Sequence, residues 1–159
     1  MPTAEEMMVK NVMTFRSSDK LSKVSKSFAE HRISGAPVVD DEGKVIGIIS
    51  EHDIIKLGEK YPGVWTPLEH HLPLAISLSI KDYELEKVVK ALKEVSDREV
   101  GEVMSKKVLT ASPKMGLGEI ARMMEKHKIN RIPVVDKEGR LLGLVARADV
   151  VKAFWKHKK

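Results

Sequence analysis

The sequence predicts a mixed α/β (α+β) fold built from two copies of one strand–helix–strand–strand–helix unit. Three observations predict it: a gapless internal repeat, apolar residues spaced for one buried helix face in each copy, and pairs of apolar strands joined by a glycine turn. Residues 6–56 align with residues 102–152 at an offset of 96, and 17 of the 51 positions are identical. Two copies of one supersecondary unit account for this identity.

Each copy opens with a predicted short strand followed by a helix. The strands are Val12–Thr14 and Val108–Thr110, and each ends in a hydroxyl residue. In the second copy, Ser112 followed by Pro113 predicts a helix N-cap and first helical position. Apolar residues then recur at the spacing of one helix face: Leu21, Val24 and Phe28 in the first copy, and Leu117, Ile120, Ala121 and Met124 in the second.

A hairpin and a final helix complete each copy. In each copy, two apolar runs are joined by a turn in which Gly43 or Gly139 can supply a positive φ. The near-continuous apolar character of these runs predicts strands covered on both faces. A last helix is expected to begin near Glu51 and near Arg147. The predicted strands are Ala36–Asp40, Val45–Ile49, Ile132–Asp136 and Leu141–Val145.

The repeats divide the chain into a first unit, residues 1–58, a linker, residues 59–99, and a second unit, residues 100–159. Tyr61-Pro62-Gly63 and Thr66-Pro67 predict turns early in the linker. Asp82 is a candidate cap for a linker helix with an apolar stripe, which either packs on the chain's own core or forms an oligomer contact. The stripe comprises Leu85, Val88, Val89, Leu92 and Val95.

Composition excludes several classes of function. Cysteine is absent, which excludes disulfides, thiolate metal sites and a cysteine nucleophile. No apolar run has the length of a membrane span and no leader pattern is present, so a cytoplasmic protein without membrane contact is expected. The net charge of +5 suits nucleic acid or a small phosphate ligand equally and decides between neither.

The junction between the second hairpin strand and the last helix carries the candidate binding chemistry. In the first copy it reads Ser50-Glu51-His52-Asp53. One interpretation is a capping box, in which Ser50 accepts from the helix backbone and Asp53 reaches back. The other is a ligand site: a helix N-terminus attracts phosphate, the Ser50 hydroxyl donates to it, and the Asp53 carboxylate accepts from ribose hydroxyls.

The second copy separates these interpretations in part. Ala146 replaces the serine, so a full capping box cannot form, yet Asp149 keeps the acidic position. A carboxylate there still gains from the helix dipole. Arg147 can replace the missing hydroxyl by pairing with phosphate.

These repeated motifs resemble the CBS domain family, whose members occur as tandem pairs called Bateman modules. The resemblance rests on two in-register copies of an apolar-Pro-Val-Val-Asp run, a glycine turn, and Gly-apolar-apolar-x-x-x-Asp, ending at Asp53 and Asp149. It implies a pseudo-two-fold pair of units with two clefts that bind AMP, ADP, ATP or S-adenosylmethionine. It also implies a homodimer that signals ligand occupancy to a regulated protein, without catalytic residues or a metal.

The resemblance further implies which residues touch the ligand. Thr14 and Thr110 correspond to the hydroxyl contact, and Asn130 and Arg131 to polar contacts with phosphate, where the first copy has the uncharged Ser34 and Gly35. The cleft using Asp53, Ser50 and Arg131 is therefore expected to be the stronger one. The full set of expected ligand contacts comprises Thr14, Ala36, Pro37, Val38, Ser50, His52, Asp53, Thr110, Asn130, Arg131, Ile132, Pro133, Arg147 and Asp149, with the Ala36-Pro37-Val38 and Ile132-Pro133-Val134 runs flanking adenine.

Two other functions remain open. A nucleic-acid-binding protein would use the positive charge, but Lys and Arg are scattered among acids and Trp65 and Trp155 form no stacking series. A structural adaptor would fill its clefts with its own side chains. His31 and His127 are expected at helix ends, and the His70-His71 pair lacks the third ligand of a zinc site. No P-loop or nucleophile motif is present, so binding without turnover is expected.

Overall fold

The computed structural model describes residues 1–61 and 82–157, with the side chains of residues 82–88 left out. It contains mixed helices and strands, as predicted. The helices are α1 Ala4–Met7, α2 Leu21–His31, α3 Glu51–Glu59, α4 Asp82–Asp97, α5 Val100–Val103, α6 Leu117–His127 and α7 Arg147–His157. The strands are β1 Gly35–Val39, β2 Val45–Ser50, β3 Arg131–Val135 and β4 Leu141–Ala146.

The four hairpin strands confirm the predicted pairing. β1 pairs with β2 and β3 with β4, giving two antiparallel two-stranded sheets. β3 and β4 pair from Arg131 opposite Ala146 to Val135 opposite Leu141, with one register shift before Val135. Gly43 and Gly139 have φ values of +80° and +84° in the two turns, so both glycines supply the positive φ expected of them.

The predicted opening strands Val12–Thr14 and Val108–Thr110 are wrong, because neither forms. Pairing is confined to the next residue: Phe15 bridges Val38 and Ala111 bridges Val134, each in parallel. Phe15 donates to the Pro37 carbonyl and accepts from the Val39 amide. A longer parallel ladder would need the N–H of Pro37, which proline lacks, and Pro133 imposes the same limit in the second copy.

Helices α2 and α6 bury the predicted stripes, with Leu21, Val24, Ile120 and Met124 no more than 4% exposed. His31 and His127 are the last residues of these helices, as expected. The residues that follow them, Arg32 and Lys128, adopt left-handed conformations and donate their amides to Phe28 and Met124.

The predicted start of the second helix at Ser112-Pro113 is wrong. The helix begins at Leu117, because Ser112 to Met115 form a turn closed by the Met115 amide on the Ser112 carbonyl. Gly116 then bridges Thr3, and the Leu117 amide donates to the Pro2 carbonyl. A backbone acceptor from the N-terminal segment therefore takes the place of a side-chain cap.

The chain divides into two compact units. Unit 1 comprises Met1–Arg16, Ala36–Ile48 and Ser105–Lys159, and unit 2 comprises Ser17–Gly35 and Ile49–Met104. In unit 1, Ala4 and Met7 of α1 belong to the same buried cluster as Ile120, Ile132 and Val145 of the second repeat. The start of the first repeat therefore completes the core of the second.

The same exchange occurs in reverse. In unit 2, Glu99 bridges Lys20, the Leu21 amide donates to the Arg98 carbonyl, and the Val100 amide donates to the Asp19 carbonyl at 2.8 Å, which places the end of the linker and the start of the second repeat against the N-terminus of α2. Glu99 and Arg98 lie 96 positions after Thr3 and Pro2, and Lys20 and Leu21 lie 96 positions before Gly116 and Leu117. The residues that precede and open each repeat thus pack on the other repeat.

Within unit 1 the two hairpin turns also meet. Lys44 bridges Arg140, the Val45 amide donates to the Gly139 carbonyl at 3.1 Å, and the Leu141 amide donates to the Gly43 carbonyl at 3.0 Å. These backbone hydrogen bonds form a short antiparallel bridge between the residues that open β2 and β4.

Helix α4 confirms the helix predicted in the linker. Val95 is 9% exposed, whereas Val89 and Leu92 are 56% and 45% exposed. Leu85 and Val88 are among the omitted side chains, and the Pro62-Gly63 and Thr66-Pro67 turn signals, Trp65 and His70-His71 lie outside the described residues. The low exposure of Val95 and the high exposure of Val89 and Leu92 show that the apolar stripe of α4 is buried at its C-terminal end and exposed in its middle. None of the described helices combines the length and hydropathy needed to cross a membrane.

The left-handed turn glycines have a measurable consequence. We expect Gly139→Ala to lower the free energy of unfolding by about 1 kcal/mol, because its φ is positive while nothing lies within 4 Å of the added Cβ. Gly118→Ala in α6 meets nothing within 4 Å either and should raise stability by about 0.5–1 kcal/mol through helix propensity. Urea unfolding of both variants checks the opposite signs, and equal effects would contradict the turn assignment.

Candidate functional site

The β2–α3 junction holds a complete capping box. The Ser50 amide donates to Asp53 Oδ2 at 2.8 Å, and the Asp53 amide donates to Ser50 Oγ at 3.4 Å. The Ser50 hydroxyl lies 3.0 Å from the same carboxylate oxygen. The capping interpretation is therefore confirmed for the first copy, and the box holds Asp53 at the helix N-terminus.

The β4–α7 junction keeps half of this arrangement. The Ala146 amide donates to Asp149 Oδ2 at 2.9 Å, as the Ser50 amide does to Asp53. Ala146 has no hydroxyl to complete the box. Within the described residues, one backbone hydrogen bond thus maintains the position of this carboxylate.

Both carboxylates have one engaged and one available oxygen. Asp53 and Asp149 are half-buried, and each accepts through Oδ2 from the residue three positions earlier. Across the described parts of the chain, no hydrogen bond to either Oδ1 is formed. An anchored carboxylate with a free oxygen is oriented to accept hydrogen bonds from a bound molecule.

The second repeat brings four predicted residues together at one end of its hairpin. Arg131 is paired with Ala146 in the sheet, and the Arg147 amide donates to the Asn130 carbonyl at 3.0 Å. The Arg147 guanidinium also reaches Asn130 Oδ1 at 3.4 Å. Asn130, Arg131, Arg147 and Asp149 therefore share one corner of unit 1.

The equivalent corner of the first repeat is formed in the same way. The Glu51 amide donates to the Ser34 carbonyl at 2.9 Å within unit 2, 96 positions before the contact of Arg147 with Asn130. His52 is exposed in the first turn of α3. This corner contains Ser50, His52 and Asp53.

The apolar residues expected beside adenine have buried side chains. Ala36, Pro37, Val38, Ile132, Pro133 and Val134 are each less than 2% exposed. The carbonyls of Pro37 and Pro133 accept from Phe15 and Ala111. Thr14 is exposed and Thr110 half-buried, and each directly precedes one of those bridging residues. Because these side chains are buried, the two apolar runs would contact adenine through backbone atoms. That contact stays a prediction.

A cavity of about 380 Å³ adjoins Asp149 and was not predicted. Lys152 and Lys156 lie three and seven positions after Asp149 on α7, which places all three residues on one face of the helix. This spacing could have indicated from the sequence that the two lysines lie beside Asp149. Pro2 and Glu6 reach the cavity because α1 packs on the second repeat, which no local pattern reveals. The lining residues are Pro2, Glu6, Met7, Asp149, Lys152, Ala153, Lys156 and His157.

Carboxylates near these corners are held in their charged form. The Lys128 ammonium donates to Glu125 at 2.6 Å and holds the pKa of that carboxyl below its ordinary value. Arg147 lies 3.9 Å from the other Glu125 oxygen. At Glu6, hydrogen bonds from the Thr3 amide and hydroxyl lower the carboxyl pKa. Both groups therefore stay anionic at neutral pH.

Over residues 1–61 and 82–157, no three His, Asp or Glu side chains come together as a metal site. The only candidate pair that the sequence suggested, His70-His71, lies outside these ranges.

The CBS domain model matches the chain twice, at residues 4–60 and 100–156. The chain belongs to the CBS domain family. The protein MJ1426 of Methanocaldococcus jannaschii is 38% identical over 157 residues, covering 94% of this chain and 89% of that protein. The chain spans 63% of the chloroplastic CBSX1 of Arabidopsis thaliana, at 28% identity. It spans only 24% of the inosine-5′-monophosphate dehydrogenase of Aquifex aeolicus.

Solved CBS pairs have the same fold. The structure of CBSX2 in complex with AMP superposes with a TM-score of 0.74 at 22% identity and covers all of both chains. The CBS domain pair of MJ0100, in complex with 5′-methylthioadenosine and S-adenosyl-L-methionine, gives a TM-score of 0.67 at 23% identity, covering 100% of this chain and 99% of that one. The predicted tandem CBS fold is confirmed.

Proposed function

We propose that this CBS pair is a regulatory module that binds an adenosine nucleotide, AMP, ADP or ATP, at the strand-to-helix junctions of its two repeats. The observation that carries the proposal is the pair of anchored carboxylates, Asp53 and Asp149, each with one oxygen bound to the backbone and the other available. The AMP complex of CBSX2 supports adenosine as the ligand's common part.

The chemistry of the first junction suits a nucleotide. Asp53 Oδ1 accepts from the ribose hydroxyls, as acidic residues do in dinucleotide sites. The N-terminus of α3 favours an anion through its free amides and dipole. The Ser50 hydroxyl donates to a phosphate oxygen by turning away from Asp53 Oδ2, 3.0 Å away. One charge-assisted hydrogen bond, to the carboxylate, is exchanged for another, to the phosphate.

The second junction provides a guanidinium in place of the hydroxyl. Arg147 and Asn130 are already in contact beside Asp149, and Arg131 is one residue further along β3. Arginine pairs with phosphate in a bidentate manner. We expect the first junction, where the Ser50 hydroxyl lies beside Asp53, to bind more tightly than the second, where Ala146 has no hydroxyl.

Binding without turnover is supported by the family and by its solved members. Both repeats match the CBS domain model, and the CBS pairs CBSX2 and MJ0100 have been solved as complexes with adenosine ligands. A regulatory module therefore fits this chain better than an enzyme.

Regulation proceeds by a shift in population. A nucleotide changes the arrangement of the module only to the extent that it binds one arrangement more tightly than another. A homodimer that acts on a separate regulated protein is the simplest route from ligand to output. S-adenosylmethionine is the alternative ligand, favoured by its complex with the CBS pair of MJ0100.

Thermal unfolding with a ligand panel tests the proposal. A ligand at 100 times its Kd adds about 2.7 kcal/mol to the free energy of unfolding, which raises the Tm by roughly 5–10 °C for a chain of this size. We expect this shift with AMP, ADP or ATP, and none with NAD. A shift with S-adenosylmethionine alone supports the alternative ligand. A salt-dependent shift with a single-stranded oligonucleotide alone supports nucleic-acid binding, and no shift with any ligand supports an adaptor.

A further inference from the structure

The cavity beside Asp149 in unit 1 has a counterpart in unit 2, with a volume of about 360 Å³. Three residues that line one cavity are the repeat equivalents, 96 positions apart, of three that line the other. The pairs are Pro2 with Arg98, Glu6 with Glu102, and Tyr61 with His157. The two repeats therefore form a cavity at the same place and surround it with different side chains.

In the first repeat the chain's own guanidinium lies at this place. Arg98 donates through Nη1 to Glu102 Oε2 at 2.8 Å, and through Nε and Nη2 to the Tyr61 hydroxyl at 3.2 Å and 2.6 Å. The guanidinium carbon lies 6.0 Å from the centre of the Tyr61 ring. The Glu102 carboxylate thus has a cation as its partner.

In the second repeat the carboxylate is kept and this cation is replaced. Pro2 stands at the position of Arg98, so the equivalent guanidinium does not exist beside Glu6. Glu6 Oε2 accepts from the amide and the hydroxyl of Thr3, at 2.8 Å and 3.1 Å. Among the residues that the structure describes, Glu6 Oε1 accepts no hydrogen bond and Glu6 forms no ion pair. The place of the cation in the first repeat is therefore open in the second.

The second cavity also carries positive charge from α7. Lys152 and Lys156 line it one helical turn apart, and within the described ranges neither side chain forms an ion pair or a hydrogen bond. Lys56 and Lys60 hold the equivalent positions of the first repeat. Because Arg98 is bound in that repeat, lysines at these positions do not exclude a guanidinium. The cavity of unit 1 thus has a carboxylate from the N-terminal segment and two ammonium groups from α7.

We propose that this cavity binds a guanidino acid, a small molecule with a guanidinium group and a carboxylate, of which arginine is an example. The guanidinium binds Glu6 in the place that the Arg98 side chain has in the first repeat. The carboxylate of the ligand binds Lys152 and Lys156. Both contacts are hydrogen bonds between opposite charges, which are the stronger kind.

The size and the remaining lining of the cavity suit such a molecule. Its volume of about 380 Å³ lies in the range of small-molecule sites. Met7 and Ala153 also line it and contact the aliphatic stem of the ligand. Asp149 places the cavity beside the second nucleotide junction. The guanidino-acid site goes beyond the proposed function and does not depend on nucleotide binding.

Isothermal titration calorimetry with a set of ligand fragments tests the proposal. We expect saturable binding of L-arginine and of guanidinobutanoate at millimolar concentration. Agmatine, which lacks the carboxylate, and butanoate, which lacks the guanidinium, should each bind at least tenfold more weakly than guanidinobutanoate. Agmatine or butanoate binding as tightly as guanidinobutanoate, or no binding of guanidinobutanoate, would overturn the proposal.

Charge-removing variants with matched controls locate the site. Glu6→Gln and Lys152→Gln should each raise the Kd of guanidinobutanoate at least tenfold, because each removes one charged partner of the ligand. Glu5→Gln in α1 and Lys126→Gln in α6 make the same changes outside the cavity and should leave the Kd unchanged. An unchanged Kd in Glu6→Gln or Lys152→Gln, or equal losses in the variants and their controls, would overturn the assignment.

Pro2→Arg supplies the guanidinium that the second repeat lacks. It should abolish guanidinobutanoate binding with an unchanged circular dichroism spectrum, and binding as in the wild type would contradict the shared position of ligand and Arg98. The nucleotide panel is scored separately. Guanidinobutanoate binding without a nucleotide shift sinks only the nucleotide proposal, and a nucleotide shift without guanidinobutanoate binding sinks only this site.

Discussion

Gly143→Ala should lower the free energy of unfolding by about 3 kcal/mol, the upper range for overpacking a filled site. The added Cβ would lie 2.5 Å from Met8 Sδ and 2.8 Å from the Val9 carbonyl oxygen. The methionine can move, but the Val9 carbonyl accepts from the Leu144 amide at 3.0 Å. Relief of the clash therefore breaks the pairing between the N-terminal segment and β4. Urea unfolding at equilibrium measures the loss.

Two variants control this prediction. Gly116→Ala meets nothing within 4 Å and should cost only about 1 kcal/mol or less, the loss expected for alanine at a helix N-cap. Met8→Ala combined with Gly143→Ala should recover part of the loss, because it removes the Sδ and Cγ atoms that the new Cβ meets. A neutral Gly143→Ala would mean that the first repeat's N-terminal segment does not pack on the second repeat.

Asp53→Ala should weaken nucleotide binding at least tenfold, the second large effect expected. The substitution removes the oxygen that we propose accepts from ribose and also the acceptor for the Ser50 amide. The loss of two charge-assisted hydrogen bonds to the sugar amounts to about 1.4 kcal/mol or more. Isothermal titration calorimetry with AMP and ATP measures the change in Kd.

Ser50→Ala separates capping from binding. Both Ser50→Ala and Asp53→Ala disrupt the capping box and should each lower stability by about 1 kcal/mol. Ser50→Ala keeps the Asp53 carboxylate and its hydrogen bond from the amide of residue 50, which is the half box that Ala146 and Asp149 form in the second copy. The Kd of Ser50→Ala should therefore rise less than that of Asp53→Ala. A loss of stability in both variants with an unchanged Kd in both would show that the junction only stabilises the helix.

Local patterns predicted most of the fold. The hairpins follow from apolar runs around Gly43 and Gly139, whose positive φ values permit the tight turn. The helix faces follow from spacing alone, as at Leu21 and Val24. The half capping box at Asp149 follows from the single change of serine to alanine. Each of these features depends on residues close together in sequence, which is why one sequence suffices to predict them.

Features set by distant contacts could not be predicted. Helix α6 begins at Leu117 because the Pro2 carbonyl meets its first amide, not because of Ser112-Pro113. The opening strands fail because proline occupies the partner strand. Pro2 and Glu6 join the cavity beside Asp149 only because α1 crosses to the second repeat. Sequence periodicity carries no information on such pairings.

The most direct test of the binding claim is a nuclear magnetic resonance titration of the 17.8 kDa chain with AMP. We predict saturable shifts of the backbone amides of Ser50 to Asp53 and of Ala146 to Asp149, with the first set saturating at the lower concentration. Saturable shifts confined to residues outside both junctions, or no shifts at millimolar AMP and ATP, would contradict nucleotide binding by the anchored carboxylates.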